Sequence, residues 1–389
     1  MTVFKNAKLI YPDRIRDGVL TVDNGKIAGI YDRLDAPEGA QVIDCAGRYL
    51  SPGFVDIHVH GGGGKSAMSD KPQDITDMCA AHASYGTTSM LPTTLAAPIP
   101  QLETALDSIR AAKEKSVDCN ILGAHLEGPF LSLKMKGAQS PENILVPAEH
   151  DCEALLDYWK GIRIIGAAPE TEGALELGLA AKKRGIVASV AHSDATYEQA
   201  EKALEYGYSD VTHIYSACSS VIKINLFRIA GVVEAGLVHD DYTVQVIADL
   251  RHLPVGLLKL IYKCKGAEKI SLITDGLEFS ATDMTEGTIC SQENGVKAIF
   301  EDGVMKLADR SALAGSVATS SRLVRNMYHT AGVPLYDAVR MASATPASVA
   351  GFGNAKGRLQ VGYDADIILF NENIDVSFVM TNGKVIKNN

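Results

Sequence analysis

Between residues 54 and 276 the chain repeats one pattern. A short β-branched or apolar run ends in a polar or glycine-bearing position, and a longer amphipathic stretch with apolar residues at helical spacing follows. Eight runs read as strands: 54–60, 87–94, 121–127, 163–170, 186–192, 210–216, 243–249 and 271–276. The stretches 73–85, 99–115, 149–160, 172–184, 197–206 and 253–264 read as helices between them. Such alternation implies a parallel sheet, because parallel neighbours need a crossover that a helix supplies. An open doubly wound sheet and a closed barrel both satisfy it, so the polar residues decide. Glu127, His192, His213, Asp249 and Asp275 stand at or near the C-terminal ends of their runs, beside His58 and His60 on the first. Strand ends so far apart in sequence converge on one mouth in a barrel, and would not readily meet in an open sheet. The expected fold class is therefore α/β, a (β/α)8 TIM barrel.

The flanks follow another grammar. Asp23-Asn24-Gly25 separates two strand-like runs, and Thr381-Asn382-Gly383 does the same at the far end. Asn-Gly suits a tight hairpin, whose central residues need positive φ. Neither flank is large enough for a core of its own. Residues 1–50 and 356–389 are expected to pair into one small β-sandwich domain beside a barrel domain spanning 51–355, with closing helices at 316–330 and 335–344.

Composition narrows the function. With 46% hydrophobic and 22% charged residues the chain is too apolar for disorder and too interrupted by charge for membrane spans. Its 37 basic and 47 acidic side chains leave a formal charge of -10, so no basic field exists to hold a nucleic-acid backbone or an anionic membrane. Any phosphate on a ligand must be met by a local cluster. Seven scattered cysteines, an odd number without close pairs, argue against a disulfide framework. The first residues lack the apolar stretch of a signal peptide, and a cytoplasmic location is expected.

His58 and His60 lie two apart on a strand, so both imidazoles face one side and can reach one ion. Alone the pair reads equally well as structural. Glu127, His192, His213 and Asp275 at other strand ends turn the reading to metal. Four imidazoles and two carboxylates exceed what one tetrahedral ion takes, which leaves room for one or two divalent ions (zinc, iron, manganese or cobalt), with Glu127 as the bridge. A metal-bound water has a pKa near about 7, which suits amide hydrolysis. Asp275 is placed to take a proton from that water and return it to the leaving nitrogen. The run Gly61-Gly62-Gly63-Gly64-Lys65-Ser66 lacks the first glycine of a Walker loop, which falls on Val59, and reads as a flexible loop.

These residues carry a resemblance. The HxH pair, His125-Leu126-Glu127-Gly128-Pro129-Phe130, His192, Thr212-His213 and Thr274-Asp275 are similar to the N-acetylglucosamine-6-phosphate deacetylases of the amidohydrolase superfamily. The likeness extends from Ser51-Pro52-Gly53 to Gly362-Tyr363-Asp364-Ala365-Asp366. It implies removal of acetate from an amino sugar phosphate, one or two metal ions, and a homodimer whose partner contributes to the phosphate site. By position it places Ala138 and Gln139 near the substrate amide, Ser216 and Ala217 on the sugar, Arg228 and His252 on the phosphate, and Leu313, Ala314 and Gly315 in a substrate-contacting loop.

The chain departs from that pattern in the pocket. Gln139 stands where the family usually has histidine, Ser216-Ala217-Cys218 replaces Asn-Ala-Met, and Arg228-Ile229-Ala230-Gly231 replaces Arg-Glu-Pro-Gly. Ala248-Asp249-Leu250 replaces Ala-Asp-Gly, followed by Arg251, a further candidate for phosphate. The hydrolysis is thus more firmly implied than the sugar. A deacetylase of another N-acetyl hexosamine, phosphorylated or not, and an amidohydrolase for another amide remain open. So does a barrel that only binds, although such a chain is expected to lose ligands. Ala168-Pro169-Glu170 stands where cyclic amidases carry a carboxylated lysine, which counts against those enzymes.

Overall fold

The structure is a computed structural model that describes residues 1–115, 118–291 and 297–388. Its centre is a barrel of parallel strands: β1 (Phe54–Val59), β2 (Thr87–Thr94), β3 (Ala124–Glu127), β4 (Ile162–Ala167), β5 (Val187–Val190), β6 (Tyr208–Val211), β7 (Thr243–Val246) and β8 (Ile270–Leu272). Each pairs with the next in parallel register, for example Glu127 with Gly166, Ala167 with Val190 and Val246 with Leu272. The ring closes just past β8, where Asp275 N donates to His58 O and His60 N to Gly276 O, both at 2.9 Å. All eight sequence runs fall on these strands.

Helices cover the outside because their apolar stripes match the strands' outer faces. α1 (Pro72–Ala83) buries Ile75, Met78, Cys79 and Ala83, and α2 (Ile99–Lys113) buries Leu102, Leu106 and Ile109. Helix α3 (Cys152–Asp157) is shorter than the expected 149–160, since Pro147–Glu149 forms a separate 3-10 turn and Asp151 caps α3 by accepting from Ala154 N at 2.9 Å. α4 (Ala174–Lys183) follows β4. α5 (Tyr197–Glu205) opens on a reciprocal cap: Gln199 N donates to Thr196 Oγ1, and Thr196 N to Gln199 Oε1. α6 (Val232–Val238) and α7 (Val255–Lys265) follow β6 and β7.

The two flanks share one mixed sheet. Thr2–Ile10 pairs with Ile15–Asp23 and, in parallel, with Tyr49–Pro52, which in turn pairs with Ile367–Phe370. Phe4, Leu20, Leu50, Leu369, Phe378 and Met380 form its core, with Phe4 and Phe378 edge to face at 5.5 Å. Both hairpin turns have the left-handed backbone that Asn-Gly permits: φ is 48° and 75° at Asn24 and Gly25, and 49° and 78° at Asn382 and Gly383.

Three local features differ from expectation. The glycine run is not a flexible loop but a tight hairpin of Gly61–Gly62 with Lys65–Ser66, packed so closely that a Cβ on Gly62 would lie 2.4 Å from His82 Nε2. The expected 316–330 helix is divided into α8 (Ser320–Arg325) and a π-helical turn Asn326–Thr330; α9 (Leu335–Met341) and α10 (Ala344–Val349) follow. Two small β elements were not anticipated: the hairpin Ile222–Ile224 with Phe227–Ile229, and a sheet of Ile289–Ser291, Lys297–Glu301 and Val304–Leu307.

Candidate metal centre and cavity

Strands β1, β3, β5, β6 and β8 end just where a carboxylate or imidazole side chain is delivered to the mouth. His192, His213 and Asp275 follow β5, β6 and β8 in the left-handed region, with φ of 44°, 27° and 46°. Few non-glycine residues adopt that backbone, and here it turns three side chains inward where a continuing strand would carry them past. Asp56, buried in β1, accepts from Thr274 Oγ1 at 2.5 Å and His58 N at 3.2 Å, tying the first strand to the last.

Glu127 is the hub. His213 Nε2 lies 2.8 Å and His192 Nε2 3.3 Å from its Oε1, and His60 Nε2 lies 3.3 Å from its Oε2. His58 Nε2 is 3.1 Å from His60 Nε2 and 3.5 Å from Asp275 Oδ1, while His60 Nε2 is 3.2 Å from that same oxygen. Two groups therefore have metal-holding spacing, His58–His60–Glu127 and Glu127–His192–His213, and they overlap in Glu127.

The donor set fits a cation. His60 Nδ1 faces Thr93 O at 3.1 Å, His192 Nδ1 faces Met135 O at 2.8 Å, and His58 Nδ1 faces Gln245 Oε1 at 2.9 Å. A carbonyl only accepts, so these Nδ1 atoms carry protons and each Nε2 is the inward-facing atom left to take a cation or a second proton. Lone pairs converging on two carboxylates repel unless positive charge lies among them. Burial lowers the basicity of His60, yet hydrogen bonding to Asp275 and Glu127 outweighs it and carries the imidazole up to about 10. His58 is the opposite case: burial pushes it down to about 4, so it is neutral. Burial likewise works against charge on Asp275, but the His60 contact and the field of His58 hold it below the usual carboxylate range. The centre as a whole draws positive charge.

Above it opens a cavity of about 420 Å³. His60, Glu127, His192, His213 and Asp275 line it, and His58 lies beneath, fully buried. Ala138, Gln139, Ser216, Ala217, His252, Leu313, Ala314 and Gly315 all stand on its walls. His252 is held by Asp249, which accepts from its Nδ1 and from the amides of Arg251 and His252, each at 2.8 Å. Arg228 is not in this group. It lies on the exposed Ile222–Ile229 hairpin, beside Leu226 and Phe227, which are 81% and 76% exposed. Arg251 is also exposed and lies beside Gly303, away from the wall.

Several contributors had no mark in the sequence reading. Lys134, Tyr215 and Leu95 line the cavity, and the carbonyls of Thr93 and Met135 orient two imidazoles. Glu170, which the sequence marked without giving it a role, accepts from Ser193 Oγ and Asp194 N, both at 2.6 Å, and so orders the turn that follows His192. An inward-facing polar residue on a buried strand, such as Gln245, was the available signal.

Comparison with known proteins places this arrangement. The model of the amidohydrolase family matches residues 49–386. An N-acetylglucosamine-6-phosphate deacetylase of Vibrio furnissii is 32% identical over 95% of this chain and 91% of its own length. An N-acetylgalactosamine-6-phosphate deacetylase of Escherichia coli O157:H7 is 32% identical over 95% of this chain and 94% of its own. The crystal structure of N-acetylglucosamine-6-phosphate deacetylase from Pasteurella multocida superimposes with a TM-score of 0.91 at 29% identity, covering 100% of both chains.

Proposed function

The chain belongs to the amidohydrolase family, and on that premise we propose that it is a hydrolase that removes acetate from N-acetylglucosamine 6-phosphate, leaving glucosamine 6-phosphate. The observation that carries this reading is the overlap of two ligand groups in Glu127 at the floor of a sugar-sized cavity.

His192, His213 and Glu127 would hold one divalent ion, and His58, His60 and Glu127 a second, with Asp275 beside them. Zinc, iron, manganese and cobalt all suit such ligands. Ions bound there supply Lewis acidity, which lowers the pKa of water and polarises a carbonyl oxygen. The protein's own part is proton management and orientation. Asp275, ionised, accepts the proton that water gives up as the new C–O bond forms. It returns that proton to the amide nitrogen as the C–N bond breaks, and acetate and a free amine result.

Ala138, Gln139, Ser216 and Ala217 would frame the acetamido group and ring, with the Leu313-Ala314-Gly315 segment closing the other wall. His252, its Nδ1 engaged by Asp249, keeps Nε2 for the phosphate. Arg228 is too far out on its hairpin to serve its own cavity, and the exposed Leu226 and Phe227 beside it suit burial by protein. A homodimer in which the hairpin carries Arg228 to the partner's phosphate site accounts for both. In this reading residues 51–355 carry the chemistry, and 1–50 with 356–389 form a supporting β domain. A reducing cytoplasm suits seven cysteines that form no disulfide, and among the described residues no helix is long and apolar enough to cross a membrane.

The equal identity to a galactosamine-phosphate deacetylase makes the C4 epimer the second reading. Acetate release from N-acetylglucosamine 6-phosphate, its galactosamine and mannosamine epimers and the unphosphorylated sugars tests both. Highest kcat/KM on the glucosamine compound is expected. Preference for the galactosamine epimer would move the assignment there, and no acetate from any of them by zinc-loaded protein would end it.

A further inference from the structure

Of the three central histidines whose Nδ1 faces an oxygen, His58 is held differently. His60 and His192 present Nδ1 to backbone carbonyls, which the fold fixes whatever the side chains. His58 presents Nδ1 to a side chain, Gln245 Oε1, at 2.9 Å. A glutamine amide has two ends, and turned the other way it would offer an N–H. Nδ1 would then have to accept, and the proton would move to Nε2, where it would block the lone pair that faces His60.

Asp210 prevents that turn. Gln245 Nε2 donates to Asp210 Oδ2 at 2.6 Å, and both residues are fully buried, on β7 and β6. The carboxylate also takes Ser189 Oγ at 2.9 Å and Thr243 Oγ1 at 2.5 Å. Burial works against charge on Asp210, but three donors converge on its two oxygens, so it acts as an acceptor, and the amide points its nitrogen at Asp210 and its oxygen at His58. We propose that Gln245, locked by Asp210, is a positioning residue that sets the tautomer of His58 and so makes the His58–His60 side of the centre competent to hold a cation. The inference rests on the metal reading above and adds to it the reason this side of the centre is available.

Zinc affinity and stoichiometry of the whole chain, measured by competition with a chromophoric chelator, test it. Gln245→Met keeps the volume and removes the acceptor. One zinc should weaken by about 10- to 100-fold, the range seen when a partner of a metal-bound histidine is lost, while the other is unchanged. Gln245→Glu returns an acceptor to His58, sharing one proton with Asp210, and should recover most of the loss. Met binding zinc as tightly as the wild type overturns the proposal, as does a folded Glu variant no better than Met. If Gln245→Met does not fold, Asp210→Asn serves: it frees the amide to turn, and undiminished zinc affinity there is equally fatal. The wild type's stoichiometry judges the two-ion reading separately. Should it bind a single zinc, weakening of that ion in the Met variant still supports the positioning role, and no change overturns it.

Discussion

Gln139 Nε2 donates to Glu127 Oε2 at 2.7 Å, and Gln139 Oε1 accepts the Ala96 amide at 3.0 Å. The expectation from resemblance placed this residue near the substrate amide. It does stand on the cavity wall, with one of its two N–H donors committed to the hub carboxylate. A histidine here, once protonated, would set a positive charge against Glu127. The neutral amide fixes the carboxylate's orientation and leaves its charge for cations.

Gln139→Ala should therefore cost stability as well as turnover. It leaves the buried Ala96 N–H without its acceptor and removes one of the contacts to Glu127 Oε2, leaving that of His60, for a loss of about 1–3 kcal/mol. Urea unfolding of zinc-loaded protein measures it, and an unchanged midpoint would show that the hydrogen bond contributes nothing net.

Asp275→Asn keeps the shape and removes the base. A fall in kcat of about 100- to 10,000-fold is expected, with the zinc held by His192 and His213 retained. Elemental analysis alongside the acetate assay separates lost proton transfer from lost metal.

Zinc binding should expel protons. Burial would weaken His60 as a base, but its contacts with Asp275 and Glu127 raise it from 6.5 to about 10, so at pH 7 the ion-free protein holds a proton that zinc must replace. Affinity should fall by about tenfold per pH unit below that value for each proton displaced. The sign for stability is the reverse. A raised folded-state pKa stabilises the ion-free protein below about 6.5 and loses that contribution as pH rises through about 10. Calorimetry in buffers of different ionisation enthalpy counts the protons, and a buffer-independent enthalpy would contradict this.

The exposed hairpin offers a fourth test. Phe227→Asp should shift sedimentation towards monomer and reduce activity. Arg228→Ala should leave the proposed dimer intact and raise KM for the phosphorylated sugar alone. Equal effects on the unphosphorylated sugar would remove Arg228 from the phosphate site.

Much of this was legible in the residues because periodicity and chemistry agree there. The strands at 54–60 and 243–249 announce themselves as β-branched runs bounded by polar ends, and Asn24-Gly25 and Asn382-Gly383 dictate their turns through φ. His58, His60, Glu127, His192, His213 and Asp275 could be grouped because a barrel brings all strand ends to one face. The Ile222–Ile229 hairpin escaped since three-residue strands show too little alternation to register. The glycine run escaped for another reason: its order comes from packing against His82, a helix away in sequence. Asp210 and Gln245 look like ordinary polar interruptions of apolar runs until the neighbouring strands place one beside the other.

The left-handed backbone at His192, His213 and Asp275 has a consequence for how such a protein can adapt. Each of these positions costs about 1–3 kcal/mol relative to a relaxed strand end. Variants selected for heat tolerance would find quick gains by relaxing any of them, and each gain would turn a side chain out of the mouth. Adaptation to hotter surroundings that keeps the enzyme working must come through the outer helices and the terminal sheet, where comfort and chemistry do not compete.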